Sequence, residues 1–289
     1  MTSSSSGENK VWKKLSEQER ERYTRNMLLK EWNGEEGQLK LKNTSVLVVG
    51  AGGSGSPLLY YLAAVGIGQI RVCDGDKIEL HNLNRQILHN TSRVGMNKAR
   101  SAYETLSALN PEIEIIPFEK DLTDETVEEM ADGCHVICSA ADARDDSLGR
   151  KVIHKYACET ETPVIFGGAN NWGGVLTDIM PPITPCIECF LHFSDESLKK
   201  IKEGEAEKPI DSGMPVDGPL PIIGAACGIA GSLQALETVR CILGVGKQLV
   251  NRLLLFQICE DMAFTVYDIS KSRRPNCPYC NKDESKDGD

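Results

Sequence analysis

Gly50, Gly52 and Gly55, in the run VLVVGAGGSGSPLLYYLA, form a G-x-G-x-x-G pattern between a β-branched apolar segment and a stretch of helical spacing. Glycines so placed permit a tight turn and close backbone approach. The following helix offers free N–H groups and a positive dipole end to a phosphate. Asp74 follows about twenty residues later, at the end of the next strand-like run, where a carboxylate accepts hydrogen bonds from a ribose. Strand, turn, helix and acid together predict a nucleotide site; the bland alternative is a purely structural glycine turn. The continuation DGDKIELHNLNRQILHNTSRVGMNKAR adds Asn82, Arg85 and Lys98. Two cations and an amide suit a triphosphate, whose transferred phosphorus needs electrostatic relief as charge moves onto departing pyrophosphate. Asp142, in VICSAAD at a further strand end, is placed to hold a Mg²⁺ bridging those phosphates. A nicotinamide dehydrogenase is the reading only if the glycine turn is taken in isolation.

The eleven cysteines divide by context. Cys73, Cys134, Cys138, Cys241 and Cys259 lie in or beside apolar runs and read as small core residues. PCIEC supplies Cys186 and Cys189, and NCPYC supplies Cys277 and Cys280. Two C-x-x-C pairs suit a tetrahedral zinc site, each giving two thiolates on a tight turn. The rival is a redox-active dithiol, which requires a depressed thiol pKa. Four thiolates close the coordination sphere, so such a zinc is structural. No cysteine occurs from Phe190 to Ala226, and Ser212 in that stretch is no substitute for a soft thiolate nucleophile. Cys227 just beyond reads as a packed helical cysteine. His89, His135, His154 and His192 show no ligand spacing, and no chemistry is assigned to them.

These residues need a scaffold, and the hydrophobic pattern provides one. Ser16 and Glu19, at capping-box spacing, open an amphipathic segment over Leu15–Lys30. Strand-like runs at Ser45–Gly50, Gln69–Cys73, Glu112–Ile116, Cys134–Cys138 and Pro163–Phe166 alternate with helical stretches, the latter including Lys98–Leu109, Thr123–Met130 and Ser147–Glu159. That alternation predicts a doubly wound, mostly parallel Rossmann-like α/β sheet with helices on both faces. Beyond Trp172 the rhythm changes to a strand at Val175–Met180, a proline-rich piece and the charged run SDESLKKIKEGEAEKP. A long Ala/Gly-rich helix near Ile222–Leu243 follows, then antiparallel strands at Arg252–Gln257 and Met262–Tyr267. The expected organisation is a disordered N-terminus over 1–14, one domain over 15–280 with a crossover loop at about 191–219, and a polar tail over 281–289.

Of the 289 residues, 40% are hydrophobic and 26% charged, with 32 basic against 42 acidic and a net charge of -10. This is ordinary globular composition, and the acidity argues against a nucleic-acid binder. No apolar run approaches a membrane span, and the opening MTSSSSGENK lacks the apolar stretch of a secretory signal, which predicts a cytoplasmic protein.

RYTRN, GAGGSG, DGDKIELHNLNRQ, VGMNKA and the cysteine pairs, taken together, resemble the MoeB/ThiF/HesA adenylyltransferases, relatives of the ubiquitin-activating enzymes. The resemblance spans about Leu15 to Cys280. It implies attack of the C-terminal glycine carboxylate of a ubiquitin-like sulfur carrier, ending in Gly-Gly, on ATP–Mg²⁺, giving an acyl-adenylate and pyrophosphate. By the same resemblance Gly53 and Asp74 serve the adenosine side, while Asn82, Arg85 and Lys98 serve the phosphates. Asp76, His81, Leu83 and Asn84 fall in the same nucleotide-lining stretches. Asp142 matches the magnesium aspartate, although the usual Asp-Asn pair is here Asp142–Ala143. Asp145, followed by Asp146, lies three residues on, so the metal acid is left open between Asp142 and Asp145. Arg25 matches an arginine that completes the neighbouring subunit's ATP site, which implies a homodimer. A separate persulfide donor would deliver the sulfur. The other readings are adenylation of a short peptide C-terminus and a non-catalytic nucleotide-binding scaffold.

Overall fold

The computed structural model of the chain describes residues 14–141, 149–186, 189, 221–274, 277 and 279–280. Asp142, Asp145, Asp146, the crossover stretch about 191–219 with Ser212, and the tail over 281–289 lie outside the described residues, as does almost all of 1–14.

The strands are β1 (Ser45–Val49), β2 (Gln69–Cys73), β3 (Glu114–Phe118), β4 (Val136–Ser139), β5 (Val164–Asn170), β6 (Gly173–Ile179), β7 (Arg252–Gln257) and β8 (Ala263–Asp268). They form one eight-stranded sheet in the order β3-β2-β1-β4-β5-β6-β7-β8. From β3 to β5 all pairings are parallel, with Val49 opposite both Cys73 and Ser139; from β5 to β8 they are antiparallel. Strand order reverses at β1, so the crevice beyond the carboxyl ends of β1 and β4 is the topological switch point, where such sheets bind ligands.

The central parallel strands β1 and β4 are buried on both faces, as βαβ crossovers demand. Val46 and Val48 point into one core layer with Leu58, Leu59 and Leu62 of α4 (Gly55–Val65), Ala102 and Leu106 of α5 (Lys98–Leu109), and Ala235 and Val239. Leu47 and Val49 point the other way, toward Val127 and Met130 of α6 (Val127–Ala131) and Ile153 and Ala157 of α7 (Arg150–Thr160). Each fully buried aliphatic side chain contributes about 1.5–3 kcal/mol. Among the described residues no helix is long and apolar enough to cross a membrane.

The N-terminal segment departs from the single amphipathic run expected. Its capping box is present: Ser16 Oγ accepts from Glu19 N–H at 3.1 Å, and Ser16 N–H donates to Glu19 Oε2 at 2.7 Å. The helix nevertheless divides into α1 (Glu17–Arg22) and α2 (Thr24–Met27). Between them Tyr23 turns inward, 2% exposed, and its hydroxyl accepts from Asn110 Nδ2 at 2.9 Å. A third helix, α3 (Gly34–Lys42), has little apolar periodicity. Its last residue, Lys42, forms a buried ion pair with Glu19.

The Ala/Gly-rich helix α8 (Gly224–Leu243) lies against α4, and its composition follows from the closeness of that contact. A Cβ at Gly231 would stand 2.1 Å from Ser54 O, 2.5 Å from Pro57 Cγ and 3.0 Å from Leu58 N. Gln234 on the same helix donates through Nε2 to the carbonyls of Ser139 and Ile165, at 2.9 and 2.8 Å, tying α8 to β4 and β5. One turn further, Glu237 meets Asp178 of β6, both buried. Asp178 Oδ2 accepts from Leu249 N–H at 2.9 Å, whereas Asp178 Oδ1 and Glu237 Oε2 have no hydrogen-bond partner. A proton retained on one of the two carboxyls would let them hydrogen-bond to one another. Burial first, and then the Glu237 charge, pushes the Asp178 carboxyl up to about 8.

Candidate functional site

The glycine turn leaves β1 at the switch point and enters α4 in a space with no room for a side chain at Gly50 or Gly55. Gly50, at φ +101, donates its N–H to Cys73 O at 2.9 Å, and a Cβ there would stand 2.9 Å from Ala140 C and O. A Cβ on Gly55 would fall 2.0 Å from Gly50 O. Gly52 lies beside Gln86, which is buried with Oε1 unpartnered. A Cβ on Gly53 would stand 2.7 Å from Cys227 Sγ and 3.5 Å from Arg85 Cγ.

Asp74 braces the turn from the end of β2. Its Oδ2 accepts from Ala51 N–H at 2.8 Å and its Oδ1 from Asp76 N–H at 3.0 Å. Burial raises the Asp74 pKa, opposed by the Lys98 charge and these two N–H donors. On the other side of Ala51, His89 Nε2 lies 2.9 Å from the Ala51 carbonyl and its Nδ1 lies 2.9 Å from Ser101 Oγ. A carbonyl only accepts, so Nε2 carries the proton and Nδ1 receives the serine hydroxyl. Burial lowers the His89 pKa, in keeping with a neutral ring. Sequence reasoning assigned His89 no chemistry, and it carries no spacing signal; its importance comes from contacts 12 and 38 residues away along the chain.

Lys98 is the first residue of α5, the positive end of the helix dipole, where a cation is unfavourable. Its Nζ donates to Asp76 Oδ2 at 2.6 Å, its N–H to Asp76 O at 2.9 Å, and the side chain is only 8% exposed. Asn97 before it caps α5 by accepting from Arg100 N–H, and donates through Nδ2 to Asp74 O at 2.9 Å. A buried cation held at an unfavourable helix end by one exposed carboxylate is ready to exchange that partner for a phosphate.

Asn82 ends a short 3-10 turn over Leu80–Asn82, and Leu83, Asn84 and Arg85 follow it. The Asn82 side chain, 6% exposed, accepts from Glu79 N–H at 3.0 Å and lies 3.1 Å from His81 Nε2, so its amide holds the turn. His81 itself is exposed beside Glu79. Arg85 donates through Nη1 to His81 O and Asn84 Oδ1 at 3.1 and 3.0 Å. Its backbone abuts the start of α8: a Cβ on Gly224 would stand 2.5 Å from Asn84 O and 3.3 Å from Arg85 Cα. The structure therefore joins the glycine turn to Asp74 and to Arg85, and Asp76 to Lys98. Arg25, exposed on α2, has no hydrogen bond or ion pair among the described residues. Cys227 is buried, and burial raises its thiol pKa, with Arg85 and Ser54 opposing.

The cysteine pairs, separated by residues 190–276, converge. Cys186 Sγ lies 3.8 Å from Cys189 Sγ and 3.5 Å from Cys277 Sγ, and Cys189 Sγ lies 3.5 Å from Cys280 Sγ. All four sulfurs fall within 4.8 Å of one another. A tetrahedron with Zn–S bonds of ~2.3 Å has edges of about 3.8 Å, so the donor set fits zinc in type and span. Arg274 N–H donates to Cys189 Sγ at 3.4 Å, an outer-sphere bond of the kind that steadies a metal thiolate. A fifth cysteine, Cys158 of α7, is buried in the same cluster.

The profile of the ThiF family matches residues 23–279. Among curated proteins, the chain is 36% identical over 271 residues to the adenylyltransferase and sulfurtransferase MOCS3 of Anopheles gambiae, covering 93% of this chain and 56% of that protein. It is 33% identical over 276 residues to the adenylyltransferase and sulfurtransferase UBA4 of Saccharomyces cerevisiae, covering 94% and 58%. The chain thus spans little more than half the length of these relatives. Among solved structures, E. coli MccB with ATP superposes with a TM-score of 0.71 at 26% identity, over 90% of this chain and 74% of that one. PaaA superposes with a TM-score of 0.69 at 25% identity, over 93% and 78%.

Proposed function

The chain belongs to the ThiF family, and from that premise we propose that it is an ATP-dependent adenylyltransferase whose acceptor is the C-terminal glycine carboxylate of a small ubiquitin-like sulfur carrier. One observation carries the reading: at the switch point a glycine turn is tied to a ribose-side acid and flanked by Arg85, while Lys98 waits on an exchangeable partner. The printed names of the curated relatives and the ATP-bound structural neighbour support it.

Asp74 keeps unused lone pairs after accepting from Ala51 and Asp76, enough to receive the ribose hydroxyls. N–H groups of Gly52–Gly55 face the phosphates at the start of α4. Arg85 and Lys98 neutralise the charge that accumulates as pyrophosphate departs, Lys98 exchanging Asp76 for a phosphate oxygen. The attacking glycine carboxylate is already ionised at neutral pH, so no general base is required. Catalysis then rests on positioning and electrostatics. Mg²⁺, when bound, would supply further neutralisation of the phosphate oxygens, with Asp142 or Asp145 as its protein ligand. Arg25 is exposed, as an arginine acting on a second protomer's site must be, and the reading therefore includes a homodimer. The four cysteines would hold Zn²⁺ in a closed site whose role is structural. Sulfur would come from a separate donor.

The solved MccB complexes contain MccA, which favours a peptide acceptor as the second reading. Incubation with ATP, Mg²⁺ and candidate acceptors, followed by intact-mass measurement, tests both. AMP attached to a carrier ending in Gly-Gly is the expected product; AMP on a short peptide alone selects the second reading. Tight NADH binding with no pyrophosphate exchange on any acceptor would remove both.

A further inference from the structure

β4 ends short of its neighbour. Its last residue, Ser139, pairs with Phe166, and the following Ala140 N–H turns to Val49 O on the β1 side, while β5 runs on to Asn170. At ~3.3 Å per residue the β5–β6 hairpin overhangs the switch-point crevice by about 13 Å. One bond fixes the direction of its peptide groups. Ile258 N–H donates to Trp172 O at 3.0 Å, so Trp172, Gly174 and Leu176 face β7. Gly173, Val175 and Thr177 then face β5, where their partners are Asn170, Gly168 and Phe166. By alternation Gly167 and Ala169 turn their peptide groups the other way, over the end of β4. The Gly167 carbonyl and the Ala169 N–H and carbonyl find no partner there among the described residues. Gly167 is buried and Ala169 half-buried, and backbone groups withdrawn from water need partners. The hairpin is held firmly from behind. Asn171 N–H donates to Pro221 O at 2.8 Å, Ile223 N–H donates to Asn171 O at 3.0 Å, and Ala169 packs on the cluster of Ala226, Ala230 and Phe256. The same turns of α8 lie against Gly53 through Cys227. The β5 edge and the glycine turn are thus two walls of one crevice, two strand spacings or about 9.6 Å apart, a width that leaves one strand's lane between them.

We infer that the acceptor's C-terminal tail binds as an extended strand added to β5 at Gly167–Ala169, held by its main chain rather than by its side chains. The inference rests on the adenylation reading for its occupant alone. A tail that enters the crevice carboxylate first runs opposite to β5, whose carboxyl end points outward, so the pairing is antiparallel. One tail residue donates its N–H to Ala169 O and accepts from Ala169 N–H. The residue two further on donates its N–H to Gly167 O. The terminus then arrives at the end of β4, beside the glycine turn. Strand addition draws affinity from such backbone bonds and leaves specificity to the space for alternate side chains. Residues paired across two strands share a face. The tail residue opposite Gly167 therefore faces Gln234, whose Oε1 lies 2.9 Å from where a Gly167 Cβ would stand, and only glycine fits. The next residue outward lies opposite Gly168, where a Cβ would meet nothing nearer than Val175 Cγ1 at 4.0 Å. Backbone fit thus explains a terminal glycine, and the chemistry recognised is an unblocked, extended peptide end.

The test leaves the protein unaltered and changes the probe. The full chain is titrated into a ten-residue synthetic peptide ending in Gly-Gly and labelled at its N-terminus, with single N-methyl groups placed in turn on its last five amides. Affinity is read by fluorescence anisotropy, and AMP transfer from ATP–Mg²⁺ by intact mass. N-methylation should weaken binding several-fold at alternate amides and leave the intervening ones near the parent value, because only every second tail N–H meets β5. Hydrogen exchange at the Ala169 amide should slow when the parent peptide binds. Losses without alternation, an Ala169 amide that exchanges at its free rate, or no binding by the parent peptide would each overturn the inference. Alternating affinities without AMP transfer would instead remove the adenylation reading and leave the strand pairing standing. AMP transfer without alternation does the reverse.

Discussion

Asp178→Asn offers a test of the buried carboxyl pair with the sign fixed in advance. Asp178 is fully buried on β6 beside Glu237, one oxygen bonded to Leu249 N–H and the other without a partner. Its ordinary value of 3.8 is pushed up to about 8, foremost by burial. The folded state therefore keeps a proton that the unfolded chain releases near pH 4. The contribution of this carboxyl to stability is fullest below pH 4, falls as pH rises, and levels off once the folded group ionises near pH 8. At ~1.4 kcal/mol per pH unit per proton, the cost accumulated by pH 7 is about 4 kcal/mol. Asparagine reproduces the protonated acid: its oxygen accepts from Leu249 N–H, its Nδ2 donates to Glu237, and it does not titrate. At pH 8 the variant should be more stable by about 2–4 kcal/mol, or roughly 4–8 °C in melting temperature at ~2 °C per kcal/mol. At pH 4.5 the two proteins should nearly coincide. The assay is thermal and urea unfolding of the zinc-loaded chain at pH 4.5, 6 and 8. Parallel pH profiles for the two proteins, or a variant weaker at pH 8, would refute the retained proton.

Lys98→Ala and Arg85→Ala should each slow acyl-adenylate formation by at least ~100-fold while leaving circular dichroism unchanged; a wild-type rate for either removes that residue from the phosphates. Gly231→Ala should destabilise the chain by about 1–3 kcal/mol, because the added methyl meets Ser54 O and Leu58 N, backbone atoms that cannot rotate away. An unchanged urea midpoint would show that α8 has freedom the packing denies it. Arg25→Ala, inactive alone, should regain activity when mixed with Lys98→Ala, since one hybrid site receives both wild-type groups; no recovery in re-equilibrated mixtures would place Arg25 outside the partner's site.

The parallel half of the fold was legible because its strands are short apolar runs, buried on both faces at β1 and β4, that alternate with stretches of helical period. β1, β2 and α5 begin within a residue of where the pattern places them. β3 sits two residues later than its apolar run suggests, since Pro117 and Phe118 complete its pairing with Val72 and Cys73. α3 was missed because its stability comes from tertiary contacts, Lys42 to Glu19 and Gln38 to the carbonyl of Val65, which no periodicity encodes. In the site, the glycines and Asp74 could be read because their spacing is dictated by local geometry. His89 and Gln86 could not, because each meets a segment distant in sequence. The Asp178–Glu237 pair was equally hidden: a lone acid in an apolar strand gives no hint of the acid that faces it.

The twenty residues of α8, at ~1.5 Å each, reach about 30 Å. Its first turn abuts Arg85 and the glycine turn, its middle is pinned to α4 and to two strand carbonyls, and its far third meets Asp178. A rod braced at three stations acts as a beam, and a shim inserted at one end tilts the other. Repacking around Glu237 should thus shift the opposite end of the helix, where it meets Arg85 and the glycine turn.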